Sequence, residues 1–145
     1  MAKTIRDYFN IKELVCQDVY AKFGEKAWDF LDPKLLAVLL FIREGIGKPI
    51  LVNTGTLHER GLRCNLCVSV DAKTAKNQPY ISAHVQGKAV DFNVSGMTPA
   101  QIRQWLYNNK HRLPYAIRVE LNTPTWVHVD VRNYSQTEKL VTFNG

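Results

Sequence analysis

Residues 126–131 read WVHVDV, and the alternation in this stretch decides what the rest of the chain has to build. Val127, Val129 and Val131 share one face of an extended strand, while Trp126, His128 and Asp130 share the other. The valines are expected to face a core and the polar side to open on a solvent-reachable groove. Just upstream, residues 117–121 read IRVEL, which sets Arg118 and Glu120 on the polar side of a second strand. Asn122 to Thr125 is a turn-prone connection containing Pro124. If the loop has three residues, Asn122 faces Trp126, and Glu120 then opposes His128 while Arg118 opposes Asp130. Opposed side chains on one face have Cβ atoms about 5 Å apart. A four-residue loop would shift the pairing by one.

Outward from this hairpin, the chain runs helices first and strands afterwards. Asn10, with Glu13 as its capping-box partner, predicts a helix over 11–23 that Gly24 ends. Asp32-Pro33, a cap and a first-turn proline, opens a second helix to about Glu44, with Gly45 as its left-handed stop. Its leucines, Val38 and Ile42 cover nearly every side, as in a helix at the centre of a core. Thr98-Pro99 with Gln101 starts a third, whose stripe is Ile102, Trp105 and Leu106. Further strands are predicted at 49–53 and 89–93, with a weaker one at 140–143. The class implied is α+β, with helices packed on a small, mainly antiparallel sheet.

Composition agrees with one globular domain spanning 1–145. At 46% hydrophobic and 22% charged residues, such a chain can bury about two thirds of its unfolded surface. No apolar run is long enough for a membrane span, because Lys34 and Arg43 bound the richest one. The amino terminus lacks the apolar centre of a secretory signal, so synthesis in the cytoplasm is expected. Three cysteines do not make a disulfide scaffold, which points the same way. The net charge of +6 favours polyanionic surroundings, but its lysines and arginines are dispersed. A nucleic-acid partner would rest on charge alone and is not expected.

Residues 82–92, SAHVQGKAVDF, hold the second half of the chemistry. His84 and Asp91 lie an odd number of positions apart and cannot share a face of one straight strand. Gly87 tolerates the bend that would bring them to one point. Two histidines and a carboxylate, with a fourth position left to water, form a catalytic zinc set, and His84, Asp91 and His128 supply it. Glu120 is available as the glutamate that acts without being a ligand. Against this stands the blander reading that a histidine is a hydrogen-bonded core group and an aspartate a turn residue. That reading suffices for His111, a cation beside a helix carboxyl end. His58 stays open. Cys64 and Cys67 form a single C-x-x-C, read as a buried reduced pair ahead of a structural zinc, for which His58 is the only near partner.

Ser82-Ala83-His84-Val85-Gln86-Gly87-Lys88-Ala89-Val90-Asp91, followed by Trp126-Val127-His128, resembles the S-x-H-x-x-G-x-A-x-D and W-x-H signature of zinc D-alanyl-D-alanine carboxypeptidases and related phage and bacterial peptidoglycan peptidases. The likeness is greatest to short single-domain forms, whose fold is shared with the hedgehog signalling domain. The resemblance implies zinc at His84, Asp91 and His128, an acidic base upstream of the last histidine, and a peptidoglycan stem peptide or cross-link as substrate. Many members carry that base three residues before the histidine, where this chain has Thr125; Glu120, eight before, is nearer the arrangement of other branches. An arginine that holds a substrate carboxylate would be Arg60 or Arg63, unless these are surface charges or partners of Glu59.

The activity expected is zinc-assisted amide hydrolysis with Glu120 taking the proton from the attacking water. Asp130 would orient a histidine ligand or pair with Arg118, and Ser82 would hydrogen-bond near the site. A monomer is expected, reaching the cell wall on release or by phage delivery. The alternative is a zinc-binding assembly or recognition module of the same fold without hydrolytic activity; a Glu120 turned away from the metal would favour it.

Overall fold

The computed structural model describes residues 1–145. Four α-helices and five strands are arranged in the order α1 (Gln17–Phe23), α2 (Pro33–Ile46), β1 (Ile50–Leu51), α3 (Val68–Ala75), β2 (Ala89–Val94), α4 (Pro99–Asn108), β3 (Ile117–Glu120), β4 (Val127–Asp130) and β5 (Leu140–Phe143). The strands form one mixed sheet, β1-β2-β4-β3-β5, antiparallel throughout except for the parallel pair β3·β5. The protein is α+β. No helix is long and apolar enough to cross a membrane.

The valine alternation does what the sequence demanded. Val119, Val127 and Val129 are buried and join Ile102 and Leu106 of α4 and Val38, Leu39 and Ile42 of α2 in one hydrophobic cluster. α4 starts where its capping box requires: the Gln101 amide donates to Thr98 Oγ1 at 3.2 Å, and the Thr98 amide donates to Gln101 Oε1 at 2.9 Å. The Lys34 amide donates to Asp32 Oδ1 at the start of α2.

Two local expectations are corrected. The helix over 11–23 is broken: a 3-10 turn occupies Ile11–Glu13, and α1 starts only at Gln17. The reason is tertiary, because Val15 pairs in parallel with Leu62 and Cys16 after it is extended, which interrupts the helix between the turn and α1. α2 runs through Gly45 to Ile46, and Gly47, at φ +75°, ends it instead. Gly45 is needed for closeness, since a Cβ there would sit 2.5 Å from the Trp105 ring. Sequence reasoning also omitted the 3-10 stretch Gly24–Phe30 and the helix α3.

The hairpin register is the one a three-residue loop requires. Arg118 pairs with Asp130 and Val119 with Val129, and the same register sets Glu120 against His128. On its other side β4 pairs with β2, where Asp91 faces His128 directly.

Candidate metal centre

His84, Asp91 and His128 converge from a turn and two adjacent strands, and their ligand-competent atoms all lie within 4.8 Å of one another. The register places two of the three: Asp91 and His128 are cross-strand partners, with Asp91 Oδ1 2.8 Å from His128 Nδ1. His84 arrives through the bend at Gly87, which has φ +69° and packs so closely on Phe30 that a Cβ would strike its carbonyl oxygen. Ser82 serves this turn, its Oγ accepting from the Val85 amide at 3.2 Å.

Each imidazole is oriented by the nitrogen that points away from the cluster. His84 Nδ1 lies 2.9 Å from the Gly61 carbonyl oxygen, which can only accept, so this nitrogen carries the hydrogen and Nε2 faces Asp91 Oδ2 at 3.3 Å. His128 Nε2 donates to Asp130 Oδ2 at 2.8 Å, which turns Nδ1 toward Asp91. Asp130 makes both contacts that the sequence offered as alternatives: it accepts from His128 and also receives Arg118 through Nε at 2.8 Å and Nη2 at 2.9 Å. Such outer carboxylates fix ring orientation and raise ligand basicity. The donor set suits a cation: two imidazole nitrogens and one carboxylate, each imidazole with its outer hydrogen bond made, so the centre can hold a metal ion.

Charge is concentrated here. Burial alone would lower the basicity of His128, but hydrogen bonds to Asp130 and Asp91 outweigh it and raise its pKa to about 9. Burial would likewise raise Asp91, yet His128 and His84 hold it far below the usual carboxylate range. Asp130 is depressed in the same way by His128 and Arg118. Without a cation, the proton on His128 Nδ1 sits where a metal would bind. Strong shifts at one spot are a mark of functional sites.

One expectation about access is corrected. The polar face of β4 is not open, since His128 is 7% exposed and Asp130 fully buried. β5 explains this, because its Phe143 ring lies edge-on to His128 at 5.7 Å and Arg118 stacks over the same ring. A groove of about 490 Å³ borders the centre at Asp91, and its lining also includes Arg60, Arg63, Asn93 and Trp126. Glu120, a fifth of its side chain exposed, brings Oε2 to 3.9 Å from His128 Nδ1.

Neither arginine forms an ion pair with the Glu59 carboxylate, although the charge of Arg63 helps to lower its pKa. That carboxylate accepts from the amides of Val68 and Ser69 and from Ser69 Oγ, capping α3. Arg60 donates to Asn93 Oδ1 and to the Val52 carbonyl. Arg63 donates to the Glu59 carbonyl at 2.6 Å and points Nη2 at Asp91 Oδ2 from 3.5 Å. His58 approaches Gln17 and takes no part in either cysteine or histidine grouping.

Cys64 and Cys67 are not a pair alone. Cys16 joins them, with all three Sγ atoms within 4.8 Å. Burial beside the other two sulfurs pushes the Cys67 thiol up to about 12 and raises Cys16 as well. Neither is an activated nucleophile, which requires a lowered thiol pKa. No protein-family model, no curated protein and no solved structure matches the chain, so the centre stands on its own geometry.

Proposed function

We propose that the protein is a zinc-dependent peptidase that hydrolyses peptide bonds in peptidoglycan stem peptides or cross-links, on a hedgehog-like fold. The observation that carries this reading is the position of Glu120: a carboxylate that is not in the ligand cluster, 3.9 Å from His128 Nδ1 and partly open to solvent. A purely structural ion has no use for such a group. The order and spacing of Ser82, His84, Gly87, Ala89, Asp91 and His128, which resemble the peptidase signature, support the substrate class.

His84 Nε2, an Asp91 oxygen and His128 Nδ1 would hold the ion. Zinc, if bound there, would supply Lewis acidity and a water of pKa about 7. Glu120 Oε2 takes the proton from the attacking water and returns it to the leaving amine. Asp130 keeps His128 in the tautomer that leaves Nδ1 free for the cation. Arg60 and Arg63 make the groove positive and hold a carboxylate of the peptide, and Trp126 offers its wall an apolar surface.

The test is digestion of purified peptidoglycan by zinc-loaded wild type and by Glu120→Ala, with bound zinc measured in each. Wild type is expected to release peptide fragments, and the variant to do so about 100- to 10,000-fold more slowly with its zinc retained, the range of a lost general base. Zinc-loaded wild type that cleaves no wall type would overturn the peptidase reading and leave a zinc-binding module.

A further inference from the structure

Three sulfurs from three parts of the chain meet away from the histidine centre. Cys16 directly precedes α1, Cys64 lies in the loop before α3, and Cys67 directly precedes α3. Cys16 and Cys64 Sγ atoms are 3.5 Å apart, and the whole set lies within 4.8 Å. Thiolates that share a tetrahedral ion at the usual zinc–sulfur length of about 2.3 Å sit about 3.8 Å from one another. The cluster therefore brackets the spacing that one ion needs. The loop is already folded as a ligand turn. Its Cys67 amide donates to the Cys64 carbonyl at 3.2 Å, and the Leu66 amide points at Cys64 Sγ from 3.4 Å. Cys64 is half-buried while Cys16 and Cys67 are buried, so a fourth ligand from solvent has one side to approach.

We infer that Cys16, Cys64 and Cys67 bind a second, thiophilic cation of the zinc class, distinct from the histidine centre and structural in role. Soft thiolates select such ions over magnesium or calcium. The hydrogen bonds around the cluster define the segments that the ion would fasten. The loop at 60–64 docks on the amino-terminal segment through Leu62 N–H to the Leu14 carbonyl and Cys16 N–H to the Leu62 carbonyl. Gly61 approaches so closely that a Cβ would strike the Leu14 carbonyl oxygen. The same loop reaches the histidine centre, since the Gly61 carbonyl orients His84, the Arg60 carbonyl accepts the Asp91 amide at 2.7 Å, and the Arg63 amide donates to the His84 carbonyl. An ion on the three sulfurs thus holds the strip of backbone against which two ligands of the first centre are set.

Reduced, chelator-stripped wild type should be titrated with Co2+, and separately with Zn2+ while its thiols react with a disulfide reagent. Two equivalents of cobalt are expected, one bringing an intense thiolate-to-cobalt charge-transfer band. Cys64→Ser should lose that band and one equivalent; His84→Ala should keep the band and lose the other. In wild type, two equivalents of zinc should slow thiol modification at least about tenfold, reversed by chelator; this measurement decides alone if a variant fails to fold. A single equivalent without the band, thiols indifferent to zinc, or a Cys16–Cys64 disulfide as the resting state would each overturn the inference. None of these readouts depends on wall cleavage, so the peptidase reading and this one fail separately.

Discussion

The two clusters differ in how they are assembled. The histidine centre is built mainly on the sheet: Asp91 and His128 are register partners, the pairing of β3 with β4 brings up Glu120, and His84 alone comes from a turn, set by the Gly61 carbonyl. The cysteine cluster is built by a loop docking on an extended turn through one parallel bridge between Val15 and Leu62. The first is rich in charge, with His128 raised to a pKa of about 9 between Asp91 and Asp130, whereas the second is a set of three free cysteines, two of them buried. Sheet register is rigid and sets distances by itself. A docked loop does so only while its anchor holds, which is why the two should respond differently to the same disturbances.

The largest effect is expected from Asp130→Ala. Its carboxylate is fully buried and accepts from Arg118, from His128 and from the Arg132 amide. Breaking a buried ion pair from one side typically costs 3–5 kcal/mol, and Arg118 keeps some solvent contact, so a loss of about 3 kcal/mol in denaturant unfolding is expected. Metal affinity at the histidine centre should fall about 10- to 100-fold. Thiol reactivity in the folded variant should stay as in wild type. A variant of unchanged stability would remove Asp130 as the anchor of the site, and one whose thiols open together with the histidine centre would show that the clusters are not independent.

A second contrast comes from pH in the metal-free protein. The folded pKa of His128, about 9, lies above its ordinary 6.5. Its contribution is therefore complete below pH 6.5 and is lost as pH rises to 9, an effect of about 3 kcal/mol. Asp91 and Asp130 are depressed, so their share is complete above the ordinary carboxylate pKa and is lost as pH falls from there to their lower folded values. These are two sides of the same pairs and do not add. Stability of the metal-free protein should be greatest between about pH 4 and 6.5, with the denaturation midpoint falling by pH 9. Saturating zinc, by replacing the proton on Nδ1, should flatten that decline. A midpoint unchanged between pH 6 and 9 without metal would remove the imidazolium from the site.

Legibility in the sequence divides along the same line. Alternating valines put His128 and Asp130 on one face, and a three-residue loop sets Glu120 and Arg118 opposite them; period-two patterning carries that information locally. Capping residues mark α4 and the start of α2 for the same reason. The broken helix at 11–16 is not legible, because Asn10 and Glu13 do form their local bond while the Val15–Leu62 bridge, far away in sequence, overrides the helical pattern of residues 14–16. α3 escapes because its cap is Glu59, nine residues before the amide it receives. The closed polar face of β4 depends on Phe143 from another strand, β5, and no pattern in β4 announces it. Cys16 is equally hidden as a partner of the C-x-x-C, since only the docked loop brings it within reach.

The smallest effect is the most selective. Glu59→Gln would weaken three hydrogen bonds to the first turn of α3 and remove a negative charge at a helix amino end, together about 1 kcal/mol. That helix begins directly after Cys67, so loosening it frees one sulfur while leaving β2 and β4 paired. Thiol modification of the metal-free variant should quicken at Cys67 by mass mapping, and cobalt binding at the histidine centre should keep its wild-type affinity. Were Glu59→Gln to weaken both clusters equally, the strip of backbone from Glu59 to Cys67 would act as one rigid piece. The sheet-built centre would then owe its geometry to the loop as much as to strand register, and the distinction between the two assemblies would collapse.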